Sequence, residues 1–398
     1  MPSGPSAVFY ARALERAPRH AVRVSVPHLL HVFSTFVPAG PETRTVHLIE
    51  ALGKEFRHSI LAIDGRMDAA KLLTGRAEVR LFDPLPRAGS FATLRRLRAL
   101  FQAEEPDLTL SYNWGAFDAV FAARTLNQRH VHHEDGFTSD EAVEFKRRRV
   151  LTRRWFLPGV DRVVVPSRKL EDIARGLWKL PPDKVLCIPN GIRIERFGAR
   201  DGRPKLRERI GIPKDALVAG YVGHLRPEKN PRRFLEACAR VDRELPLHVL
   251  VLGDGPERDA CERLAREKPA LYGRVTFAGH VADPVEHYRA MDVFGIASDT
   301  EQMPVALLEA MASALPVVST DVGDVRRMLP PEQSEFVVER EERESAWPLA
   351  EKLEALLRDA ALRARLGAAN RAHVQREYAF ERMLTAYRDV YTRAIAPR

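Results

Sequence analysis

Residues 277–324 read FAGHVADPVEHYRAMDVFGIASDTEQMPVALLEAMASALPVVSTDVGD. Two short apolar runs bounded by turn residues, VFGIAS (293–298) and LPVVST (315–320), predict buried strands. Between them the apolar spacing from Val305 to Met311 predicts a helix over 304–314, with Pro304 suited to its first position. VEHYRAMD (285–292) adds a helical stretch ahead of the first run. Strand, loop, helix, strand, helix, strand is the order of a parallel sheet covered on both faces.

The same alternation extends in both directions. LVAGYVGHL (217–225), LHVLVLGDG (247–255) and VTFAGHV (275–281) predict further strands, with helical RRFLEACARV (232–241) and RDACERLARE (258–267) between them. A first series runs from VRVSVPHLLHVFS (22–34) through SILAID (59–64), VRLFD (79–83), LTLSY (108–112) and RHVHH (129–133) to VDRVVVPS (160–167). The pattern pauses at 188–215, where Asn-Gly, Gly and Pro punctuate the chain. The expected organisation is a leader (1–21), a first α/β domain (22–195), a second (196–370) and a C-terminal helix (371–398) packing back towards the first domain. The tail over 349–395 reads as continuous helix. Open α/β sheets bind ligands outside the carboxyl ends of their strands, so two facing domains place the site in the cleft.

The opening stretch carries two carboxylates, Glu301 and Glu309. They are an acid/base pair, two anchors for one ligand, or the polar face of a helix. Eight helical positions span at most about 12 Å. That exceeds the roughly 5–9.5 Å between the paired carboxyls of glycosidases. The spacing favours two contacts at opposite ends of an extended ligand, with a helix N-terminus suited to phosphate between them. In YVGHLRPEKNPRRFLEA (221–237), Gly223 lets the backbone approach a ligand, and Lys229 and Arg226 can neutralise a diphosphate. Gly253 ends a strand in a glycine turn, a weak signal alone. No G-x-G-x-x-G opens a helix after the first strand, which disfavours a dehydrogenase.

The chain has 398 residues, 45% hydrophobic and 29% charged, enough for two domains. Its three cysteines, Cys187, Cys238 and Cys261, form no C-x-x-C pair, which points to a reducing compartment without structural zinc. The first residues lack an apolar core of signal-peptide length, and no run approaches the roughly 18–20 residues of a membrane span. A cytoplasmic protein is expected, peripheral at the inner face of a membrane. Of the net charge of +9, residues 1–200 carry +10, with 32 Lys+Arg against 22 Asp+Glu. Either an anionic partner meets this half or the composition is simply Arg-rich. FKRRRVLTRRWFLP (145–158) and ATLRRLRALFQ (92–102) interleave arginines with aromatic and aliphatic residues, as a helix on an anionic bilayer does. No recognition motif for nucleic acid accompanies the charge.

In order, G-x-L-x-x-x-K (223–229), L-G-D-G-P-E (252–257), E-x7-E (301–309) and A-L-P-V-V-S-T-D-V-G-D (314–324) make the chain resemble the GT4 family of retaining glycosyltransferases, over about residues 22–390. The resemblance implies the GT-B fold, two Rossmann-like doubly wound domains facing each other across a cleft. It implies that Lys229 holds a donor diphosphate, Glu309 a ribose, Glu301 the hydroxyls of the transferred sugar, and the backbone of Gln302, Met303 and Pro304 sugar and phosphate. Val281 would lie beside the base, and Gly40 in the glycine loop of the first domain. The donor would be a UDP- or GDP-sugar, the acceptor a glycan or lipid-linked glycan, with no metal or other cofactor. Three departures from the family pattern stand out: His224 where Arg is frequent, Gln302-Met303 in place of Gly-Phe, and Asp135 at a usual histidine. Arg226 would supply the charge lost at His224, and Asp135 with His133 the polar pair on the acceptor side. These departures keep open a noncatalytic nucleotide-sugar-binding partner; a nucleotide-sugar epimerase is a further same-fold alternative.

Overall fold

The computed structural model describes residues 26–85, 89–137, 141, 145–198, 203–339 and 345–397. The leader read over 1–21 and the first residues of the opening strand lie outside them. The first domain holds seven strands: β1 (His28–Phe33), β2 (Arg57–Ala62), β3 (Val79–Leu81), β4 (Leu108–Tyr112), β5 (His130–His133), β6 (Arg162–Val165) and β7 (Val185–Cys187). The second holds six: β8 (Leu217–Val222), β9 (Leu247–Leu252), β10 (Val275–Gly279), β11 (Val293–Ile296), β12 (Val317–Thr320) and β13 (Val337–Val338). All neighbouring strands pair in parallel, in the orders β3-β2-β1-β4-β5-β6-β7 and β10-β9-β8-β11-β12-β13. HLLHVF in β1 and LHVLVL in β9 are buried at every position, because helices cover both faces of each sheet. Strand order reverses direction between β1 and β4 and between β8 and β11. The loops leaving these strands therefore open the crevices where ligands bind.

The chain crosses between domains twice. Ile188 packs in the first core and Ile192, Ile194 and Phe197 in the second, so the outward crossing falls at 189–191. The boundary read at 195/196 lies just past it. Val374 belongs to the second core and Phe380 to the first, so the return crossing is Tyr378–Ala379. The two crossings are zipped together: Ile192 N donates to Tyr378 O at 3.0 Å and Phe380 N to Ile192 O at 3.0 Å.

The tail is not one helix. It forms Trp347–Arg358, Ala360–Glu377 and Phe380–Ile395. Asp359 stops the first and caps the second, its carboxylate accepting from Leu362 N at 2.8 Å. Ala379 is extended (φ −64°, ψ 142°), which lets the chain return. The tail boundary read at 370/371 falls inside the middle helix. The last helix seals the first domain, with Met383, Tyr387, Val390 and Tyr391 in its core.

Candidate active site

Two hollows of about 330 and 630 Å³ lie between the domains and share Gly40, Arg44, Asn190, Gly223, His224 and Val305. Lys229 and Glu301 line the smaller, Glu309 and Val281 the larger. The helix Val305–Ala312 begins where they meet, its first residue lining both. The first amides of a helix have no intrahelical partner, so this start can receive an anion.

Glu301 is placed by the turn after β11. Ser298 Oγ donates to its Oε1 at 2.9 Å and Lys229 Nζ to its Oε2 at 2.5 Å. Lys229 is set by the turn after β8, which Asn230 closes in a left-handed conformation (φ 43°). Asp299 N donates to Glu228 O at 2.9 Å, tying the two turns together. A second buttress comes from the turn after β12. Gly323 has φ +59°, and a Cβ there would lie 2.4 Å from Glu301 O and 2.6 Å from Gln302 O, so only glycine fits. Asp324 N then donates to Gln302 O at 3.0 Å. Met303 is buried and held by Asn190, whose Nδ2 donates to Met303 O at 3.1 Å. Pro304 caps the helix.

Glu309 is half-buried at the edge of the larger hollow. Tyr288 Oη donates to its Oε2 at 2.8 Å, and burial pushes the carboxyl up to about 7. Gly223 and Gly253 meet backbone to backbone beneath the larger hollow; a Cβ on Gly253 (φ +130°) would lie 1.9 Å from Gly223 O. His224 lines both hollows; burial and then Arg226 lower its pKa.

Across the cleft the wall is Gly40, Pro41, Arg44 and Asp135. Gly40 and Pro41 start the helix Gly40–Leu52, and Arg44 stands one turn in. Its guanidinium grips Asp135 with two bonds, 2.5 and 2.9 Å, and donates to Asn190 Oδ1 at 3.0 Å. Asp135 N donates to Asn113 Oδ1 at 2.7 Å.

Two candidates are placed elsewhere. His133 does not line either hollow: alternation along β5 sends it inward, stacked on Tyr112 and Tyr387 with ring centroids 4.5 and 5.9 Å apart. Burial holds its imidazole well below the usual range, and its Nδ1 meets Ser111 O at 3.2 Å. Arg226 caps the Pro227–Lys229 turn with its side chain 53% exposed and 3.9 Å from Glu228, and lines neither hollow. Sequence reasoning overlooked Arg44, Asn190, Tyr288 and Ser298. The signals were slight: an arginine one helical turn beyond Gly40, and an Asn-Gly read only as punctuation.

Two doubly wound domains with a site at facing switch points define a GT-B architecture. The solved structure of HepE from Anabaena in complex with UDP and glucose superposes with a TM-score of 0.80, covering 92% of this chain and 100% of that one at 18% identity. The family profile of glycosyl transferases group 1 matches residues 202–373, and that of the glycosyl transferase 4-like domain residues 39–191. The chain belongs to this GT4-type glycosyltransferase family. D-inositol 3-phosphate glycosyltransferase of Stackebrandtia nassauensis is 33% identical over 256 residues, 60% of this chain and 56% of the relative. UDP-Gal:alpha-D-GlcNAc-diphosphoundecaprenol alpha-1,3-galactosyltransferase of Escherichia coli is 31% identical over 162 residues, 40% and 42%. The chain thus spans about half the length of the curated relatives it matches.

Proposed function

We propose that the protein is a retaining glycosyltransferase that moves a hexose-type sugar from a UDP- or GDP-sugar to a glycan or lipid-linked glycan, in surface polysaccharide or glycoconjugate assembly. The observation that carries this reading is the Lys229–Glu301 pair and Glu309 at the two ends of one helix start, each in its own hollow. A diphosphate at the helix start draws Lys229 Nζ to its oxygens and frees Glu301 to accept from sugar hydroxyls. Glu309 takes the ribose and Val281 adjoins the base. As the sugar leaves with oxocarbenium character, negative charge grows on the diphosphate. Lys229 and the first helical amides stabilise it, so the reading requires no metal ion. The leaving phosphate takes the acceptor proton, and Asp135, held by Arg44, faces the acceptor side.

One matched relative, named for a diphosphoundecaprenol-linked sugar, supports the acceptor assignment, whereas the Stackebrandtia relative is named for an inositol phosphate. The helix Arg147–Phe156 supports a peripheral membrane location. Arg147, Arg148, Leu151, Arg154 and Trp155 fall on one exposed arc of it, with Trp155 67% exposed. Among the described residues no helix is long and apolar enough to cross a membrane.

The test is a panel of UDP- and GDP-sugars with lipid-diphosphate acceptors, following nucleotide release and the anomeric configuration of the product. Retention with release of UDP or GDP is expected. Absence of binding to every nucleotide sugar would sink the reading, and binding without turnover would leave the noncatalytic partner. Sedimentation with anionic vesicles at low salt, reduced by changing Arg147, Arg148 and Arg154 to Ser, is the expected result for the membrane surface.

A further inference from the structure

Gln302 stands between the sugar-facing Glu301 and the buried Met303, and its side chain does not turn into its own domain. Its Oε1 accepts from Ser167 Oγ of the first domain at 3.2 Å. Its Cγ lies 3.3 Å from where a Cβ on Gly136, the residue after Asp135, would stand. Asp324, whose amide holds Gln302 O, also reaches across. Its carboxylate accepts from Arg168 N at 2.5 Å and from Lys169 N at 3.0 Å. These are the first amides of the helix Arg168–Gly176, which Ser167 caps by accepting from Leu170 N at 3.1 Å. The helix of one domain is therefore finished by a carboxylate of the other. Asp324 is only 7% exposed, so separating the domains would exchange this buried charge-assisted cap for water.

We infer that Gln302 and Asp324 form a latch that makes domain closure and the placement of Glu301 one event, with Gln302 a positioning residue between the donor loop and the Asp135–Gly136 loop. Every bond of the latch joins a residue in or beside the Glu301–Pro304 loop to the first domain. Closure thus fixes the loop from the far side of the cleft, while Gly323 and Ser298 fix it from the near side. The side chain at 302 supplies a contact that a glycine could not make. The inference about turnover rests on the glycosyltransferase reading; the inference about closure does not.

The experiment uses the full chain with Asp324→Asn and Gln302→Ala, UDP and GDP serving as probes. Hydrogen exchange followed by mass spectrometry over the peptide containing Arg168 and Lys169 reads closure without any turnover. Protection in the parent protein, and exchange about tenfold faster in Asp324→Asn, is expected. Equal exchange in both would overturn the latch. In the nucleotide-sugar transfer assay Gln302→Ala is expected to lower kcat about tenfold with nucleotide affinity within about threefold of the parent, because positioning and not binding is lost. An unchanged kcat, or an affinity that falls in step with it, would overturn the positioning role. If no sugar is transferred by the parent protein, the functional reading fails while the exchange result still decides the latch. Melting temperatures close to the parent's are expected, and Gln302→Ala stands alone should Asp324→Asn fail to fold.

Discussion

Lys229 and Glu301 neutralise each other at 2.5 Å, and the proposed chemistry needs them apart. Each therefore has a distinct failure. Lys229→Ala is expected to weaken nucleotide binding and lower kcat/KM about 100-fold or more, as loss of a charge-stabilising donor does. Glu301→Gln is expected to leave affinity for the free nucleotide within a few-fold of the parent and lower kcat, read by calorimetry beside initial rates. Glu309 gives a pH signature. Desolvation at its half-buried site pushes its carboxyl up to about 7, and a ribose hydroxyl donates best to the ionised form. Nucleotide affinity is expected to rise as pH rises through 7, and this rise is expected to vanish in Glu309→Gln. At this scale the sequence was partly legible. Residues near one another in the chain, such as the Glu301–Glu309 stretch, announced themselves by spacing. Arg44, Asp135 and Asn190 meet only after folding, 91 and 146 positions apart, and no local pattern marks them. His133 was misplaced because both faces of β5 are packed: His132 and His133 are equally buried and neither lines a hollow, so the strand meets the cleft only past its carboxyl end, at Asp135.

Among the elements, the turn at Gly323 shows how one strand end serves another. Gly323→Ala would place a methyl against two carbonyl oxygens in a left-handed conformation. A stability loss of about 2 kcal/mol or more is expected, since strain and clash add. Urea denaturation measures the stability; nucleotide titration is expected to show weaker binding in the same variant, because the displaced loop carries Glu301. The strands and the helix Val305–Ala312 were legible from apolar runs and punctuation. The break at Tyr378–Ala379 was not, because YAFERM carries neither Gly nor Pro and the chain turns there to satisfy the first domain's core. Tertiary packing ended that helix, and a local reading does not contain it.

For the molecule as a whole, buried histidines set the response to acid. Burial holds His58 at about 4, His130 at about 3 and His248 at about 4, against 6.5 for the free side chain. Above pH 6.5 these groups are neutral whether folded or unfolded and cost nothing. Below it the unfolded chain gains protons that the folded chain refuses, so stability falls as pH falls from about 6.5 towards 4. Glu42 and Glu309, raised to about 7 by burial, pull the other way, losing stability as pH rises from about 4.5 to 7. Below about 4.5 the histidines act unopposed by these two acids. Urea midpoints are expected to drop steeply between pH 5 and 3.5, beyond what the paired carboxylates of the surface contribute. Two facing α/β domains were legible at this scale from alternation and ordered motifs; the contacts between the domains were not.

The return of the chain at Tyr378–Ala379 has a consequence for synthesis. The sheet of the first domain is complete by Cys187, yet Met383, Tyr387 and Tyr391 of the last helix fill its core. On the ribosome the domain that emerges first must wait, with an apolar surface open, until the second domain has been made. Nascent chains stalled before Phe380 are expected to be cut readily by protease within residues 28–187, and chains released after Ile395 to resist. A holding chaperone would have its longest engagement with the half of the molecule that is made earliest.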